Sequence, residues 1–259
     1  MENNLLKNKT AVVFGAGGNL GKQVVKAFNA QGATIFASDI DEKTLCTIDG
    51  VTNQVVDALD EKAVEVYLEE ITSMSGRLDI VINLSGSDPA DYNHGKPASS
   101  VSLNQLLIPM KTATGTQFIT AKAAHPIMAK QGSGTIVFIT STLSKIAPAW
   151  TTALTASHAA TEALAMSLAT EWGPEGIRVI GVRSEAMTES PVIDYTFTTM
   201  GENIGLSRQE MQGWVEEKVP LKRLTKGDET AKAIVLAASD LAGFMTGTFL
   251  NHSGGHVLS

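Results

Sequence analysis

The stretch that decides the fold is Thr10-Ala-Val-Val-Phe-Gly-Ala-Gly-Gly-Asn-Leu-Gly21, an apolar run followed at once by a segment with four glycines. The apolar run has no alternating polar residues, which is typical of a strand buried on both faces of a parallel sheet. The glycines permit a tight turn and a close approach of the backbone to a ligand. A helical pattern begins near Leu20, so its free N–H groups and positive dipole end would face an anionic group such as a pyrophosphate.

The same alternation of short apolar runs and longer helical patterns continues along nearly the whole chain. It predicts an α/β fold, a Rossmann-type doubly wound parallel sheet of about seven strands flanked by helices, in a single domain of residues 1–259. The predicted strands are 10–14, 34–38, 53–56, 79–84, 135–140, 178–182 and 248–251, and the predicted helices are 20–31, 61–75, 103–130, 155–171 and 228–238.

Two connections are too long to be simple turns, residues 86–102 after the fourth strand and residues 184–225 after the sixth. The second connection carries a short helical pattern at 208–218. Long loops beyond the carboxyl ends of parallel strands are where such folds hold their ligands. We therefore expect the substrate side of the site in these two segments.

The composition argues against several classes of partner. The formal net charge is -7 and no basic cluster occurs, so we expect neither a nucleic acid nor an anionic membrane surface as partner. Cys46 is the only cysteine, which excludes an intrachain disulfide and fits a reducing cytoplasm. The first residues lack the basic character of a signal peptide, and no apolar run reaches the length of a membrane span. We expect a cytoplasmic protein with a small-molecule substrate, and we identify no metal ligands.

Asp39 closes the second predicted strand, 18 residues after Gly21. A carboxylate there can accept hydrogen bonds from both ribose hydroxyls and would repel a 2′-phosphate. No lysine or arginine stands beside it or within the glycine segment. The sequence therefore predicts NAD rather than NADP as cofactor; the alternative is that Asp39 is an ordinary solvated turn residue.

The chain resembles the short-chain dehydrogenase/reductase family over about residues 7–257. The glycine segment resembles the family's loop, with Asn19 at its middle glycine and Phe14 at its usual threonine. Asn83-Leu84-Ser85-Gly86 resembles its Asn-Asn-Ala-Gly turn, and residues 246–255 resemble its last strand and glycine pair. The resemblance and the Asp39 argument together imply these cofactor-binding residues: Gly15, Gly18, Asn19, Leu20, Gly21, Asp39, Asp57, Ala58, Asn83, Ser85, Gly86 and His158.

The resemblance also implies a catalytic serine, a tyrosine acid/base and a lysine one helical turn later. Ser141 matches the serine, but Leu154 stands at the tyrosine and His158 at the lysine. Thr112 stands at the family's asparagine and Ser184-Glu185 at its Pro-Gly pair, with Thr188 or Ser190 at the following threonine. Leucine transfers no proton, and losing a positioned general acid costs roughly 10²–10⁴ in rate. We expect carbonyl reduction by the family's mechanism to be absent or very slow.

Other side chains could take over proton transfer, and each has an ordinary alternative. His158 could bind ribose hydroxyls, titrate near neutral pH as a proton donor, or merely fill the space of the lysine. Glu185 could pair with His158, although a solvent-facing loop position is the commoner outcome for such a glutamate. Tyr92, His94 and Tyr195 lie in the long connections, where isolated Tyr and His are usually packing or surface residues. We take Ser141 and His158 as the catalytic candidates.

The helix at 155–171 has little charge on any face, which is typical of a helix covered on two sides. The sheet can cover one side, so we expect a second subunit on the other, giving a homodimer or homotetramer. Three functions remain open: an NAD(H)-binding oxidoreductase with a non-standard or degenerate catalytic site, a non-redox enzyme such as a lyase, isomerase or cyclase, and a catalytically silent regulatory partner.

Overall fold

Seven parallel strands form one sheet in the order β3-β2-β1-β4-β5-β6-β7, in a computed structural model that describes residues 4–45 and 50–258. This confirms the predicted doubly wound α/β fold; Cys46 lies outside the described residues. The strands are β1 (Thr10–Phe14), β2 (Thr34–Asp39), β3 (Thr52–Val55), β4 (Ile80–Asn83), β5 (Gly134–Ser141), β6 (Ile177–Ser184) and β7 (Thr248–His252).

The α-helices of the described chain are α1 (Asn19–Ala30), α2 (Glu42–Leu45), α3 (Glu61–Ser75), α4 (Leu103–Pro109), α5 (Thr116–Gln131), α6 (Leu143–Ile146), α7 (Thr152–Trp172), α8 (Pro191–Ile204), α9 (Arg208–Glu216) and α10 (Gly227–Ala238). The helix predicted at 103–130 is interrupted by a π-helical segment, Met110–Gly115. None of the helices in residues 4–45 and 50–258 combines the length and the apolar character needed to cross a bilayer.

The sheet has a core on each face. Apolar residues of α1 and α10, among them Phe28 and Ile234, cover one face, and residues of α3, α5 and α7, among them Tyr67 and Trp172, cover the other. Central strands such as β1 are buried along their whole length, which explains their uninterrupted apolar sequence. Burying one large apolar side chain contributes roughly 1.5–3 kcal/mol, so these two layers hold the sheet rigid beneath the site.

The order of strands reverses beside β1, which pairs with β2 on one side and β4 on the other. Val13 lies between Ala37 and Ile82 in this register. In doubly wound sheets the crossovers on the two sides of such a point leave a crevice at the carboxyl ends of the strands. The carboxyl ends of β1 and β4 are Phe14 and Asn83, so the glycine segment and the turn after Asn83 meet at this crevice.

Residues 187–225, here named the cover segment, hold two helices rather than the single one predicted. The sequence indicated a helix at 208–218, observed as α9, but not α8 before it. The two helices share a small apolar cluster separate from the two faces of the sheet, formed by Phe197, Met200, Met211, Val219 and Leu224. The cover segment therefore packs on its own apolar centre above the carboxyl ends of the strands.

Candidate functional site

A cleft of about 440 Å³ opens at the carboxyl ends of β1, β2 and β4. It brings together residues from five separate parts of the chain, as expected for a crevice at the point where the strand order reverses. The predicted binding residues that line it are Gly15, Gly18, Asp39, Asp57, Ala58, Ser85 and Gly86.

Two positions of the glycine segment, Gly15 and Gly21, have no room for a side chain. Gly15 has φ +69°, and a Cβ there would lie 2.7 Å from the Ser85 nitrogen. A Cβ on Gly21 would lie 2.2 Å from the Gly15 carbonyl oxygen. Gly18 precedes α1 and offers no side-chain cap, and the first turn of α1 carries no acidic residue. The helix therefore presents uncapped N–H groups and its positive dipole end, which suits a phosphate.

Asp39 is held at the rim of this cleft by two backbone groups. Its Oδ2 accepts a hydrogen bond from the Gly17 N–H at 2.9 Å, and its Oδ1 accepts one from the Asp41 N–H at 3.1 Å. Asp41 also lines the cleft, and no lysine or arginine is among its described lining residues. A 2′-phosphate at this rim would meet two carboxylates without a compensating cation, whereas ribose hydroxyls could donate to them.

Asn83 acts on the cleft indirectly. The side chain is buried; its Oδ1 accepts from the Ser85 N–H at 2.8 Å, and its Nδ2 lies 3.4 Å from Thr120 Oγ1. These bonds fix the turn that carries Ser85 and Gly86 into the cleft. Asp57, which does line the cleft, accepts the Leu59 N–H at 2.9 Å.

Five of the predicted binding residues do not line the cleft: Asn83, whose role is indirect, His158, which lines a neighbouring cavity, and Asn19, Leu20 and Gly21. Asn19 donates instead from its Nδ2 to the Glu189 carbonyl at 3.2 Å, tying the start of α1 to the cover segment. Gly21 packs against Gly15, and Leu20 lines a neighbouring cavity. The side chain of Asn19 is therefore engaged in a contact within the protein.

Two further cavities continue from the cleft. A cavity of about 250 Å³ shares Ser85 and Gly86 with the cleft, and Ser141, Leu154 and His158 line it together. It is named the inner cavity. The outer cavity, of about 260 Å³, lies beneath α8 and α9 with apolar walls that include Phe197, Met211 and Trp214. Residues shared by the inner and outer cavities are His94, Ser141, Leu143, Glu185, Ala186 and Ile193.

His158 lines the inner cavity as expected, but it is not a proton donor at neutral pH. Burial and, to a smaller extent, the neighbouring His94 lower the pKa of its imidazole to about 4, and Glu162 only partly opposes them. Its Nδ1 is buried without a hydrogen-bond partner among the described residues. The expectation that His158 titrates near pH 7 is wrong because desolvation disfavours the imidazolium. A hydrogen bond to ribose hydroxyls remains possible for the neutral ring.

The candidates in the two long connections have different outcomes. Tyr92 and His94 are buried and line the inner cavity, where burial raises the pKa of Tyr92 and lowers that of His94 to about 4. Tyr195 is half-buried and lines neither cavity. A surface position for Tyr92 and His94 is therefore wrong, and their neutral side chains form part of the cavity wall.

Glu185 is neither solvent-facing nor paired with His158. Its side chain is 5% exposed, and its Oε2 lies 2.8 Å from Nδ1 of His256, whose side chain is 14% exposed. Its Oε1 accepts from the Ala186 N–H at 3.0 Å and from Thr142 Oγ1 at 3.3 Å. The pairing contradicts both alternatives considered from the sequence. His256 was missed, although its place directly after Gly254-Gly255, at the end of β7, could have marked it.

The remaining substituted positions also face the site. Thr112 lies in the π-helical segment and lines the cleft, with its Oγ1 donating to the Ile108 carbonyl at 2.9 Å. Ser190 lines the inner cavity just before α8, whereas Thr188 is bonded through its N–H to the Thr225 carbonyl. The position of Ser190 therefore suits the role of the family's threonine better than the position of Thr188 does. The π-helical turn that carries Thr112 is of a kind that is frequent at functional sites.

A buried ion-pair network behind Ser141 was not found by sequence reasoning. Glu162 on α7 accepts two hydrogen bonds from Arg183 on β6, at 2.7 and 2.9 Å. Ser144 donates to the same carboxylate at 2.6 Å, and the Lys145 Nζ lies 3.0 Å away. Burial by itself would raise the pKa of Glu162, but the hydrogen bonds from Arg183, Ser144 and Lys145 outweigh it and lower the pKa to about 2. The network joins α6 and α7 to the sheet beside Ser141.

Comparisons with known proteins agree with this architecture. Residues 15–256 match a family model described as enoyl-(acyl carrier protein) reductase. An uncharacterized oxidoreductase of Thermotoga maritima is 29% identical, with 96% of this chain and 97% of that protein covered. A peroxisomal 2,4-dienoyl-CoA reductase of Danio rerio is 27% identical over 98% of this chain and 83% of the other.

Among solved structures, a putative short-chain dehydrogenase/reductase from Burkholderia xenovorans is 26% identical with a TM-score of 0.86. Each chain is covered to 99% in that superposition. The match of the family model, the full-length relatives and the shared sheet lead to one assignment. The chain belongs to the short-chain dehydrogenase/reductase family of oxidoreductases.

Proposed function

We propose that this protein is an NAD(H)-dependent oxidoreductase that interconverts a carbonyl and an alcohol on a small, largely apolar molecule, with a non-standard catalytic site. The observation that carries the proposal is the Asp39 carboxylate, held at the rim of a glycine-lined cleft that continues into a cavity containing Ser141. The Thermotoga maritima and Danio rerio relatives, an oxidoreductase and a reductase by name, support oxidoreductase chemistry in general.

The cleft fits a dinucleotide in its residue types. The uncapped N-terminus of α1 would hold the pyrophosphate, and Asp39 would bind the adenosine ribose. The turn of Ser85 and Gly86 would lie beside the dinucleotide where the cleft continues into the inner cavity. A bound nicotinamide would supply or accept a hydride. No metal chemistry is part of the proposal.

Ser141 would orient the substrate oxygen. Its Oγ accepts the Leu143 N–H at 3.3 Å, which leaves the hydroxyl hydrogen available for a ligand. Ser141 lines both the inner and outer cavities, so an oxygen at their junction lies within its reach. Leu154 contributes only an apolar wall to the inner cavity, and the proton must come from another group.

The experiment is a fluorescence titration of the purified protein with NADH and with NADPH. We expect tighter binding of NADH, because the carboxylates of Asp39 and Asp41 repel a 2′-phosphate. Asp39→Ala should narrow the difference between the two cofactors, and Asp240→Ala, an exposed aspartate paired with Lys9, serves as the control. Equal or tighter binding of NADPH by the wild-type protein would contradict the proposal.

A second candidate is that the protein is a catalytically silent partner or a non-redox enzyme on the same fold. One observation favours it: Leu154 and the neutral His158 leave the inner-cavity face of α7 without a proton donor at neutral pH. In that case the protein would bind NADH, or another ligand of the cleft, without reducing any carbonyl compound.

We also propose a homodimer or homotetramer built on α7. The outward face of this helix is a stripe of small and apolar side chains, with Ala156, Ala159, Ala163 and Met166 all exposed. On the adjoining helices Leu107 and Phe118 are exposed as well. A second copy laid against this face would remove a contiguous apolar surface from water.

A further inference from the structure

We propose that His256, held by Glu185, is the group that binds the substrate oxygen and exchanges a proton with it, in place of the absent tyrosine. The inference rests on the proposed oxidoreductase function and deepens it. It assigns the outer cavity to an uncharged, mainly apolar aldehyde, ketone or alcohol whose oxygen lies between Ser141 and His256.

The first support is the geometry of the pair. His256 Nδ1 lies 2.8 Å from Glu185 Oε2, and its Nε2 makes no hydrogen bond to any residue that the structure describes. Glu185 is itself fixed by the Ala186 N–H and by Thr142. A carboxylate on one imidazole nitrogen sets the tautomer and the ring orientation, so that the other nitrogen is the one presented for proton exchange.

The second support is where the pair lies. Glu185, His256 and Ser141 line the outer cavity together, and Glu185 and Ser141 also line the inner cavity, where a nicotinamide is proposed. The rest of the outer wall is largely apolar, including Ile193 and Phe197. A small number of convergent polar groups in an apolar cavity is the usual form of a substrate site.

The third support is that a carboxylate and its imidazole partner occur together where the family pattern has a glycine. Glu185 stands at the family's glycine, immediately after β6, where a nearly buried carboxylate costs free energy unless it is paired. Lys218 also lines the outer cavity but lies over the Trp214 ring, 3.1 Å from its centroid, and is not the partner of Glu185. The carboxylate and the imidazole therefore occur as a matched pair beside Ser141.

The proposed step balances as follows for reduction. A bound reduced nicotinamide would supply the hydride to the carbonyl carbon and be oxidised, while the substrate oxygen would take the Nε2 proton of the protonated His256. The products would be the alcohol, the oxidised nicotinamide and a neutral His256, which would regain a proton from water. Ser141 donates a hydrogen bond to the same oxygen, and Glu185 stabilises the positive charge of His256 before the transfer.

The first experiment measures binding without catalysis. Benzyl alcohol and toluene have similar apolar bodies, and only benzyl alcohol has an oxygen for His256; both are titrated by ligand-observed NMR. We expect His256→Gln to lower the affinity for benzyl alcohol about threefold to tenfold, which is the effect of one lost hydrogen bond. The affinity for toluene should stay within twofold of the wild-type value. His125→Gln is the matched control, since His125 forms a similar pair with Glu175 on the surface, at 2.9 Å.

The second experiment measures benzaldehyde reduction with NADH, by chromatographic detection of benzyl alcohol over hours. We expect His256→Gln to lower kcat roughly 10²–10⁴-fold and His125→Gln to leave it unchanged, with NADH affinity within twofold in both. Glu185 is a positioning residue, so Glu185→Gln should lower kcat while leaving KM and toluene binding within twofold of the wild type.

The outcomes separate the two proposals. A wild-type protein that does not bind NADH would overturn the proposed function and the inference with it. Normal NADH binding with a His256→Gln variant that binds benzyl alcohol or reduces benzaldehyde as well as wild type would overturn the inference alone. The inference alone would also be overturned if the wild type binds NADH but neither binds benzyl alcohol nor reduces benzaldehyde. It would likewise be overturned if His256→Gln weakens toluene binding as much as benzyl alcohol binding.

Discussion

The ion pair between Glu162 and Arg183 allows a quantitative prediction for Glu162→Gln. Both side chains are nearly buried, at 4% and 8% exposure, and they share two hydrogen bonds. Removing one charge leaves the Arg183 guanidinium buried without its counter-ion, which typically costs roughly 3–5 kcal/mol in the free energy of unfolding. The lowered pKa agrees: a carboxyl whose pKa falls from 4.5 to about 2 contributes about 3 kcal/mol through proton linkage.

The sign of the pH dependence follows from the same values. Because folding lowers the pKa of Glu162, its contribution is fully present above about pH 4.5 and is lost as the pH falls toward about 2. The Gln variant has no carboxyl to protonate at this position. The difference in the free energy of unfolding between the wild type and the Gln variant should therefore shrink steadily as the pH falls below 4.5.

Urea unfolding followed by circular dichroism, at pH 7 and at steps from pH 5 to pH 3, measures both effects. Glu61→Gln is the control, because Glu61 pairs with Lys122 in an exposed position and should cost less than about 1 kcal/mol. The double variant Glu162→Leu with Arg183→Met removes both charges together and should recover most of the stability. A deficit below 1 kcal/mol at pH 7, or one that does not change with pH, would refute the reasoning.

Two further predictions concern the catalytic face and the assembly. The double substitution Leu154→Tyr with His158→Lys should raise the rate of NADH-dependent benzaldehyde reduction above the wild-type level. A double variant that binds NADH but shows no activity would favour the silent-partner or non-redox function over the oxidoreductase. Ala163→Glu places a charge on the exposed stripe of α7 and should convert the proposed dimer or tetramer to monomers in sedimentation experiments, whereas a monomeric wild-type protein would contradict the assembly.

The sequence could predict those features that depend on local patterns. Short, mostly apolar runs between helical patterns located the seven strands, and the clearest were central parallel strands such as β1, which has both faces buried. Helix α8 was missed because its sequence, Pro191–Ile204, is rich in Val, Ile, Thr, Tyr and Phe, which are weak helix formers. It is helical because Phe197 and Met200 pack into the apolar cluster of the cover segment, and no local pattern carries that information.

The polar pairs at the site illustrate the same limit. Glu185 and His256 are 71 positions apart, and Glu162 and Arg183 are 21 apart. The pairing of β6 with β7 brings the first pair together, and the packing of α7 against β6 brings the second pair together. Matching Ser141, Leu154 and His158 to a family pattern selected three residues that line one cavity, but the ionisation of His158 depends on burial, which the sequence does not reveal.

The separate apolar cluster of the cover segment has a consequence for how this protein could change its substrate. The outer cavity takes its polar groups, Ser141 and Glu185, from the ends of sheet strands and their immediate continuations, and much of its apolar wall from α8 and α9. Because the cluster packs apart from both layers on the sheet, its side chains can be exchanged with little disturbance of the strands below. Under the proposed function, substrate selection and chemistry would reside in two structural modules, and a library confined to positions such as Phe197, Met211 and Trp214 could alter the first while preserving the second.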